Sequence, residues 1–199
     1  MPAGGFTRIG GGGGFWGDQV FAPIDLLVGE ELDYLTMDYL AEVTMSIMAK
    51  QKARDGSKGW ATDLMDWLKA GGISLLHEKR TRLVTNAGGA NPLACAEAVL
   101  ALACEIGWNN CRIAMVNGDD VLPLVEDVLS GGSLVDHMGT GQPLSEVAVD
   151  LVSANAYVGS GAIARALENG ADIVVTGRVA DASLIVGSML HSEGWAKHA

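Results

Sequence analysis

Short apolar runs alternate along the chain with longer stretches in which apolar residues recur every three or four positions. The short runs are rich in β-branched and aromatic residues and end in Gly, Asn or Asp, which is typical of buried strands followed by turns. They predict five β-strands, at residues 6–9, 34–37, 82–85, 112–116 and 172–175.

Between the predicted strands, the apolar spacing indicates helices at residues 39–50, 62–69, 92–106, 122–129 and 162–168, with a last helix that ends near residue 191. In the first of these helices, one buried face is expected from Leu40, Val43, Ile47 and Met48. Residues 74–78 could extend the second helix, and residues 133–150 follow no regular pattern. Pro92 suits the first turn of its helix, because the N–H that proline lacks would have no partner there.

This alternation of strands and helices predicts an α/β fold. Parallel strands need long crossover connections, which helices supply, so we expect a mostly parallel sheet flanked by helices. The pattern is compatible with an open Rossmann-like sheet and with part of a barrel. We expect the 199 residues to form a single α/β domain. No predicted strand follows the last helix, so the fold could be incomplete and finished by a partner chain, or the terminus could simply fray.

Acidic residues outnumber basic ones, 24 against 13, which gives a formal net charge of −11. Such a charge repels phosphate backbones and anionic lipids and argues against nucleic-acid or membrane partners, although backbone amides can still hold a small anion. No apolar run reaches about 18 residues, and we expect a cytoplasmic protein. The cysteines are expected to be reduced. Cys95 and Cys104 lie in an apolar helical pattern and are expected to pack into the core.

Polar residues and glycines follow every predicted strand. Ligands of α/β sheets bind beyond the carboxyl ends of the strands, so these residues are expected to form one polar rim. In chain order the candidates are Gly10, Gly11, Gly12, Gly13, Gly14, Trp16 and Asp18; Asp38 and Glu42; Thr85, Asn86, Gly88, Gly89 and Asn91; Asn117, Asp119 and Asp120; and Thr176, Arg178 and Asp181.

Part of this rim is expected to bind the ligand. Backbone amides of a glycine-rich turn can approach an anion closely, because no side chain intervenes. The expected ligand-binding residues are Gly11, Gly12, Gly13, Gly14, Trp16, Asn86, Gly88, Gly89 and Asn117.

The charged residues of the rim are the candidates for catalysis. The Arg178 guanidinium could bind a carboxylate or phosphate with two parallel hydrogen bonds, or it could form a salt bridge to Asp181. Asp119, Asp120 and Asp181 are candidate acid–base groups or metal ligands. Asp119 and Asp120 could instead cap the helix that they precede.

A divalent cation is a candidate cofactor. Asp38 and Glu42 lie four positions apart and could share one face of a helix, where Asp119 could complete a site of three carboxylates. The four histidines have no metal-ligand spacing, and among them His191 is the most plausible base.

The glycine run also contains Gly12-x-Gly14-x-x-Gly17, which is formally a dinucleotide fingerprint, and Asp38 follows at about the distance of a ribose-binding acid. Five consecutive glycines satisfy many patterns by chance, and Asp18 would compete with a pyrophosphate for the helix N-terminus. NAD or FAD binding is therefore less favoured than close approach of another ligand, and a flexible loop is a further alternative.

Six ordered segments resemble the N-terminal core of the acyclic terpene utilisation protein AtuA family, long listed as a domain of unknown function. The segments are 8–18, which ends in Gly14-Phe-Trp-Gly-Asp18, 33–45, 84–92, Asn117-Gly-Asp-Asp120, Ser153-Ala-Asn-Ala-Tyr157 and 172–183. The resemblance covers nearly the whole chain. Two departures stand out: family chains are about twice this length, and a Ser is more usual before the Gly-Phe of the first loop.

The resemblance implies a cytoplasmic catabolic protein that acts in the breakdown of acyclic terpenes and branched acids through acyl-CoA intermediates. The leading hypothesis is therefore an enzyme, or the N-terminal part of one, whose substrate is a small carboxylate or an acyl-CoA. One alternative is a dinucleotide-binding protein. Another is a non-catalytic subunit, in a homo-oligomer or with a partner chain that completes its sheet.

Overall fold

The computed structural model describes residues 6–130, 136–147 and 151–195, and these form five strands and nine α-helices. The strands are β1 (Ile9–Gly13), β2 (Tyr34–Met37), β3 (Arg82–Thr85), β4 (Ile113–Val116) and β5 (Ile173–Thr176). The second and third have the predicted bounds, β4 begins one residue later than predicted, β5 is shifted by one residue towards the C-terminus, and the first lies further along the chain than predicted.

All five strands are parallel and form one sheet with the order β1-β2-β3-β5-β4. The predicted α/β class with a parallel sheet flanked by helices is confirmed. The sheet has two edges, β1 and β4, and does not close into a barrel. Of the two architectures that the sequence left open, the open sheet is therefore the correct one.

The helices are α1 (Ala22–Gly29), α2 (Glu42–Arg54), α3 (Asp63–Trp67), α4 (Ile73–Lys79), α5 (Pro92–Glu105), α6 (Leu122–Ser130), α7 (Leu144–Val147), α8 (Ser160–Glu168) and α9 (Ser183–Glu193). A wide helical turn, Leu68–Gly72, joins α3 to α4. Gly71 in this turn has φ of 111°, a backbone conformation that favours glycine.

The buried face predicted for α2 is wrong in two of its four residues. Val43 and Ile47 are exposed, while Met45 and Met48 pack into the core. The helix begins at Glu42 rather than at residue 39, because the preceding segment is extended. Leu40, which is buried as expected, therefore contributes to the core from outside the helix.

Alternate residues of the central strands face two separate apolar clusters, as the pleat of a strand requires. One cluster contains Leu35, Leu83 and Ile173 and packs against α1, α4 and α5. The other contains Val84 and Val174 and packs against α8 and α9. The sheet is thus covered by helices on both faces.

The chain order of the strands explains this distribution of helices. From β1 to β3 the chain moves across the sheet in one direction, whereas the step from β4 back to β5 reverses it. Right-handed crossovers in opposite directions place their helices on opposite faces. The connections that leave the neighbouring strands β3 and β5 therefore diverge, towards α5 and α9, and open a crevice at the carboxyl edge.

The glycine run is a strand and not the loop that the sequence predicts. Gly10 to Gly13 lie in β1 and pair with β2. A Cβ atom on Gly10 would lie 2.6 Å from Leu32 Cδ1, and one on Gly12 would lie 2.5 Å from Met37 Sδ. Close packing therefore favours glycine at positions 10 and 12, whereas Gly11 has open space around it.

The three cysteines are free thiols, and their locations differ from prediction in one case. Cys95 and Cys111 are buried, whereas Cys104 is exposed on α5. In the part of the chain that the structure describes, no helix has both the length and the apolar character needed to cross a membrane.

Candidate functional site

Arg178, the second residue after β5, lies at the crevice between β3 and β5 and is only 5% exposed. Its guanidinium Nη2 donates hydrogen bonds to Glu42 Oε1 at 3.1 Å and to the Tyr157 hydroxyl at 2.7 Å. Asp181 Oδ1 lies 3.7 Å from the same nitrogen. The salt bridge expected between Arg178 and Asp181 is present, but Glu42 is the closer carboxylate.

Tyr157 covers the guanidinium. Its ring centroid lies 4.4 Å from the Arg178 carbon Cζ, within cation–π distance, and its hydroxyl donates to Glu42 Oε1 at 2.6 Å. This hydrogen bond, together with the Glu42 backbone N–H and the charge of Arg178, lowers the pKa of Glu42 below its ordinary value. Glu42 is therefore ionised. Glu42, Arg178 and Tyr157 are each hydrogen-bonded to the other two.

The other terminal nitrogen of the guanidinium, Nη1, is buried and has no hydrogen-bond partner among the described residues. A buried polar group without a partner costs free energy, and a charged group costs more than a neutral one. Nη1 is thus a donor without an acceptor in the described part of the chain, and it is shielded from solvent.

Asp119 fixes the backbone beside this guanidinium. Its side chain is buried, and Oδ2 accepts hydrogen bonds from the Arg178 backbone N–H at 2.8 Å and from Asn155 Nδ2 at 2.9 Å. Gly177 leaves room for the carboxylate, since a Cβ there would lie 2.3 Å from Asp119 Oδ1. Asp119 therefore ties together the segments that follow β4 and β5.

Asp120 caps a helix, which is one of the two roles that the sequence suggests for it. It is exposed, and its Oδ1 accepts a hydrogen bond from the Leu122 backbone N–H at 3.1 Å, at the beginning of α6. The neighbouring aspartates thus differ: Asp120 caps the helix, whereas Asp119 is buried at the site.

Asn86 follows β3 and is fully buried, and both ends of its amide are engaged. Oδ1 accepts from the Tyr39 backbone N–H at 2.7 Å, and Nδ2 donates to Asp38 Oδ1 at 2.6 Å. This amide holds the extended segment after β2 against β3. Asn86 therefore has a structural role next to the site.

A cavity of about 720 Å³ lies at the same edge of the sheet. Its apolar lining includes Leu93, Met115, Leu122 and Val152, and its polar lining includes Lys52, Gly89, Asn117, Asp119, Asp120 and Asn155. Gly89, Asn117, Asp119 and Asp120, all predicted as site residues, thus border one cavity. Gly88 packs close to the Thr176 carbonyl and Pro92, where a side chain would not fit.

The predicted anion cradle at the first strand is not present. Gly11, Gly12 and Gly13 belong to the strand itself, and the Gly14 N–H donates to Asp18 Oδ2 at 2.9 Å. This bond and the one from the Gln19 N–H lower the pKa of Asp18, so a carboxylate occupies the position expected for a ligand anion.

The first loop also lies apart from Arg178. Strands β2 and β3 separate β1 from β5. Trp16 is half-buried against the core, and its backbone N–H donates to the Tyr39 carbonyl. The glycines and Trp16 therefore do not join the cluster around Arg178.

The three carboxylates predicted as a metal site have separate partners. Asp38 accepts from Asn86, Glu42 pairs with Arg178 and Tyr157, and Asp119 binds the Arg178 amide. Within residues 6–130, 136–147 and 151–195, no three His, Cys, Asp or Glu side chains are grouped so that they could hold a metal ion. The structure does not bring these three ligands together.

His191 does not lie at the carboxyl edge either. Its Nδ1 is 2.6 Å from the Tyr34 hydroxyl, at the first residue of β2 and thus at the amino edge of the sheet. His191 is therefore separate from the residues around Arg178, and its expected role as a base stays a prediction.

The sequence alone predicts no role for Tyr157, Asn155 or Gly177. Backbone pairings of Asn155 with Asp120 and of Val158 with Val179 hold residues 155–158 beside the loops that follow β4 and β5. The segment Ser153-Ala-Asn-Ala-Tyr157 is one of the six that carry the family resemblance, and its aromatic and amide side chains outside any predicted element are its signal in the sequence.

Comparison with known proteins gives one match. The family model described as acyclic terpene utilisation family protein AtuA matches residues 7–199. No curated protein and no solved structure matches the chain.

Proposed function

The chain belongs to the acyclic terpene utilisation family of AtuA proteins, and we propose from this premise that it is a catabolic enzyme, or part of one, acting on a branched carboxylate or its acyl-CoA thioester. The family assignment gives the general process, the utilisation of acyclic terpenes. The geometry around Arg178 supports the proposed substrate and the residues that would bind it.

The single observation that carries the proposal is the state of the Arg178 guanidinium. It is buried, it stacks on Tyr157, and Nη1 has no hydrogen-bond partner within the described residues. A planar guanidinium binds a carboxylate with paired hydrogen bonds and also donates to a thioester carbonyl. In our proposal, Arg178 binds the acyl oxygen atoms of the substrate.

Glu42 and Tyr157 are the groups that such a substrate would displace. The Glu42 side chain is 79% exposed, and Tyr157 is 54% exposed, so both can turn outwards into solvent. An incoming carboxylate would replace Glu42 on Nη2 and reach Nη1 beneath the ring. The exchange of one carboxylate for another keeps the guanidinium paired, which limits its electrostatic cost.

The neighbouring cavity supports a hydrocarbon substrate. Apolar side chains, among them Met115, Leu93 and Val152, form much of its lining, and its volume of about 720 Å³ falls within the range of small-molecule sites. Asp119 borders this cavity and binds the Arg178 amide. We propose that a branched chain lies in the cavity and that Asp119 is the acid–base group nearest to the acyl carbon.

The test is ligand binding followed by calorimetry and thermal unfolding. The probes are 3,7-dimethyloctanoate, its unbranched isomer decanoate, and the coenzyme A thioesters of both. We expect the branched acyl group to bind more tightly and to raise the melting temperature of the wild type, since a ligand of the folded state stabilises it.

Arg178→Gln should weaken this binding by about tenfold or more, which corresponds to the loss of one charge-assisted hydrogen bond. Arg178→Lys keeps the charge without the paired donors and should restore only part of the affinity. Arg54→Gln makes the same charge change at an exposed position at the end of α2 and serves as the matched control. A folded Arg178→Gln protein that binds the branched acid like the wild type would rule out this site.

A further inference from the structure

A second cavity, of about 640 Å³, lies at the opposite, amino edge of the sheet. It is lined by Leu32, Asp33, Tyr34, Lys79, Arg80, Arg82, His191, Ser192 and Gly194. None of these residues contributes to the site around Arg178, and the inference drawn from them is independent of the proposed function.

The lining is basic in a chain that is strongly acidic. Lys79, Arg80 and Arg82 contribute three positive charges and Asp33 one negative charge, which leaves a formal charge of +2 when His191 is neutral. The whole chain has a formal net charge of −11. A cluster of basic side chains around a cavity is a candidate site for a small anion.

The Arg82 guanidinium forms its side-chain hydrogen bonds with neutral groups among the described residues. Its Nη1 donates to the Tyr34 hydroxyl at 3.4 Å and lies 3.2 Å from His191 Nδ1, and both of these groups are neutral partners. Of the described carboxylates, none forms an ion pair with Arg82; both ion pairs between described residues belong to Arg178. The Asp33 carboxylate, the acidic group of the lining, accepts a hydrogen bond from the Arg8 backbone N–H.

Tyr34 and His191 fix the guanidinium in place. Tyr34 is buried, its hydroxyl lies 2.6 Å from His191 Nδ1, and the two rings meet edge to face with centroids 6.1 Å apart. Burial and the charge of Arg82, whose Nη1 lies within 3.4 Å of both ring nitrogens, lower the pKa of His191. An anion would therefore find a guanidinium held by Tyr34 and His191 beside an imidazole that can donate an N–H.

The arginine at position 80 is the third contributor. Its backbone has φ of 58°, in the left-handed region that a residue with a side chain rarely adopts, at the end of α4. Its side chain is exposed and lines the cavity, whereas Lys79 Nζ donates to the Glu30 carbonyl at 3.2 Å. Arg80 and Arg82 thus border the same cavity.

We propose that this cavity is a binding site for a phosphate group, held by Arg80 and Arg82 with Lys79 and His191 beside it. Two guanidinium groups match the charge of a phosphate dianion and donate paired hydrogen bonds to its oxygens. The cavity is larger than a phosphate ion, which fits a phosphate monoester of a small organic molecule. Glu168 and Glu193 act electrostatically on His191 and Tyr34 and are the further acidic groups near the site.

The experiment measures binding of inorganic phosphate and of phenyl phosphate by calorimetry, against sodium chloride at equal ionic strength. We expect binding in the millimolar range for wild type, and a loss of about tenfold in Arg82→Gln and in Arg80→Gln. Tighter binding of phenyl phosphate identifies a monoester as the ligand, and equal binding identifies free phosphate; both outcomes support a phosphate site.

A matched control tests whether the loss is specific to this cavity. Arg54→Gln removes one positive charge at the exposed end of α2 and should leave phosphate binding unchanged. Arg80 is exposed, so its substitution should not disturb the fold even if Arg82→Gln does. In an NMR titration, phosphate should raise the pKa of His191, which burial and Arg82 lower in the free protein. Unchanged phosphate binding in Arg80→Gln, or no binding beyond that of chloride, overturns the proposal.

Discussion

The carboxylate of Asp119 accepts a hydrogen bond of 2.8 Å from the backbone N–H of Arg178, although the two residues are 59 positions apart and follow different strands. Strand β5 lies next to β4 in the sheet, so the loops that leave these strands are neighbours. The bond fixes the Arg178 backbone from one side, while Glu42 and Tyr157 contact its guanidinium from the other. The stability of the site therefore depends on groups from four separate parts of the chain.

Replacement of Asp119 by Ala should destabilise the protein by about 2–4 kcal/mol, because it leaves the Arg178 N–H and the Asn155 amide without their acceptor. Urea unfolding measures this free energy. Asp120→Ala is the matched control: it removes one helix-capping bond at an exposed position and should cost about 1 kcal/mol. Equal costs for the two variants would contradict the structural distinction between these aspartates.

Gly177→Ala should disturb the site without removing a functional group. The added Cβ would lie 2.3 Å from Asp119 Oδ1, so the carboxylate must move away from the Arg178 N–H, at a cost of about 1–3 kcal/mol. Gly161→Ala in α8 has no atom within 4 Å of the added Cβ and should be neutral or slightly stabilising. Both variants are compared by thermal unfolding and by binding of the branched acid, and a Gly177→Ala protein as stable as Gly161→Ala would argue against this packing.

The glycines of β1 should differ sharply in their tolerance of a methyl group. Gly12→Ala places a Cβ 2.5 Å from Met37 Sδ and should destabilise the protein by about 1–3 kcal/mol. Gly11→Ala meets no atom within 4 Å and should be neutral or stabilising, since alanine restricts the unfolded chain. If the run were a loop, the two substitutions would have similar effects in urea unfolding.

The ion pair between Glu42 and Arg178 predicts a pH dependence of stability. The pKa of Glu42 in the folded protein lies below its ordinary value of 4.5, so its contribution to stability is fully present above pH 4.5 and is lost as the pH falls through the folded pKa. Wild type should therefore exceed Glu42→Gln in stability near neutral pH, and the difference should shrink in acid. A difference that is independent of pH would show that the charge of Glu42 is not responsible.

The cysteines should differ in reactivity. Burial raises the pKa of both Cys95 and Cys111 to about 12, whereas Cys104 is exposed. Because the thiolate is the reactive form, a thiol reagent near neutral pH should modify Cys104 rapidly and the other two only after unfolding. Cys104→Ser should abolish the rapid phase, and a rapid phase that persists in this variant would contradict the burial of Cys95 and Cys111.

The order of strands and helices could be predicted from the sequence, because the spacing of apolar residues that distinguishes a strand from a helix is visible among neighbouring residues. Strands β2 and β3 and the start of α5 at Pro92 were predicted correctly on this basis. The bounds of β1 were not, because glycines have no side chain with which to show a strand period. The exposed face of α2 was missed because apolar residues such as Val43 occur on both of its faces.

The sequence by itself determined the α/β class, the acidic charge and the list of polar residues that follow the strands. The tertiary structure alone decided which of them meet, because the return of the chain from β4 to β5 places β5 beside β3 and brings Arg178 to Glu42, 136 positions away. The same strand order leaves the glycine run in the edge strand β1, away from Arg178. His191 lies at the amino edge of the sheet, opposite the carboxyl edge that holds Arg178. Contacts over such separations depend on the packing of strands and helices, which no local pattern of residues records.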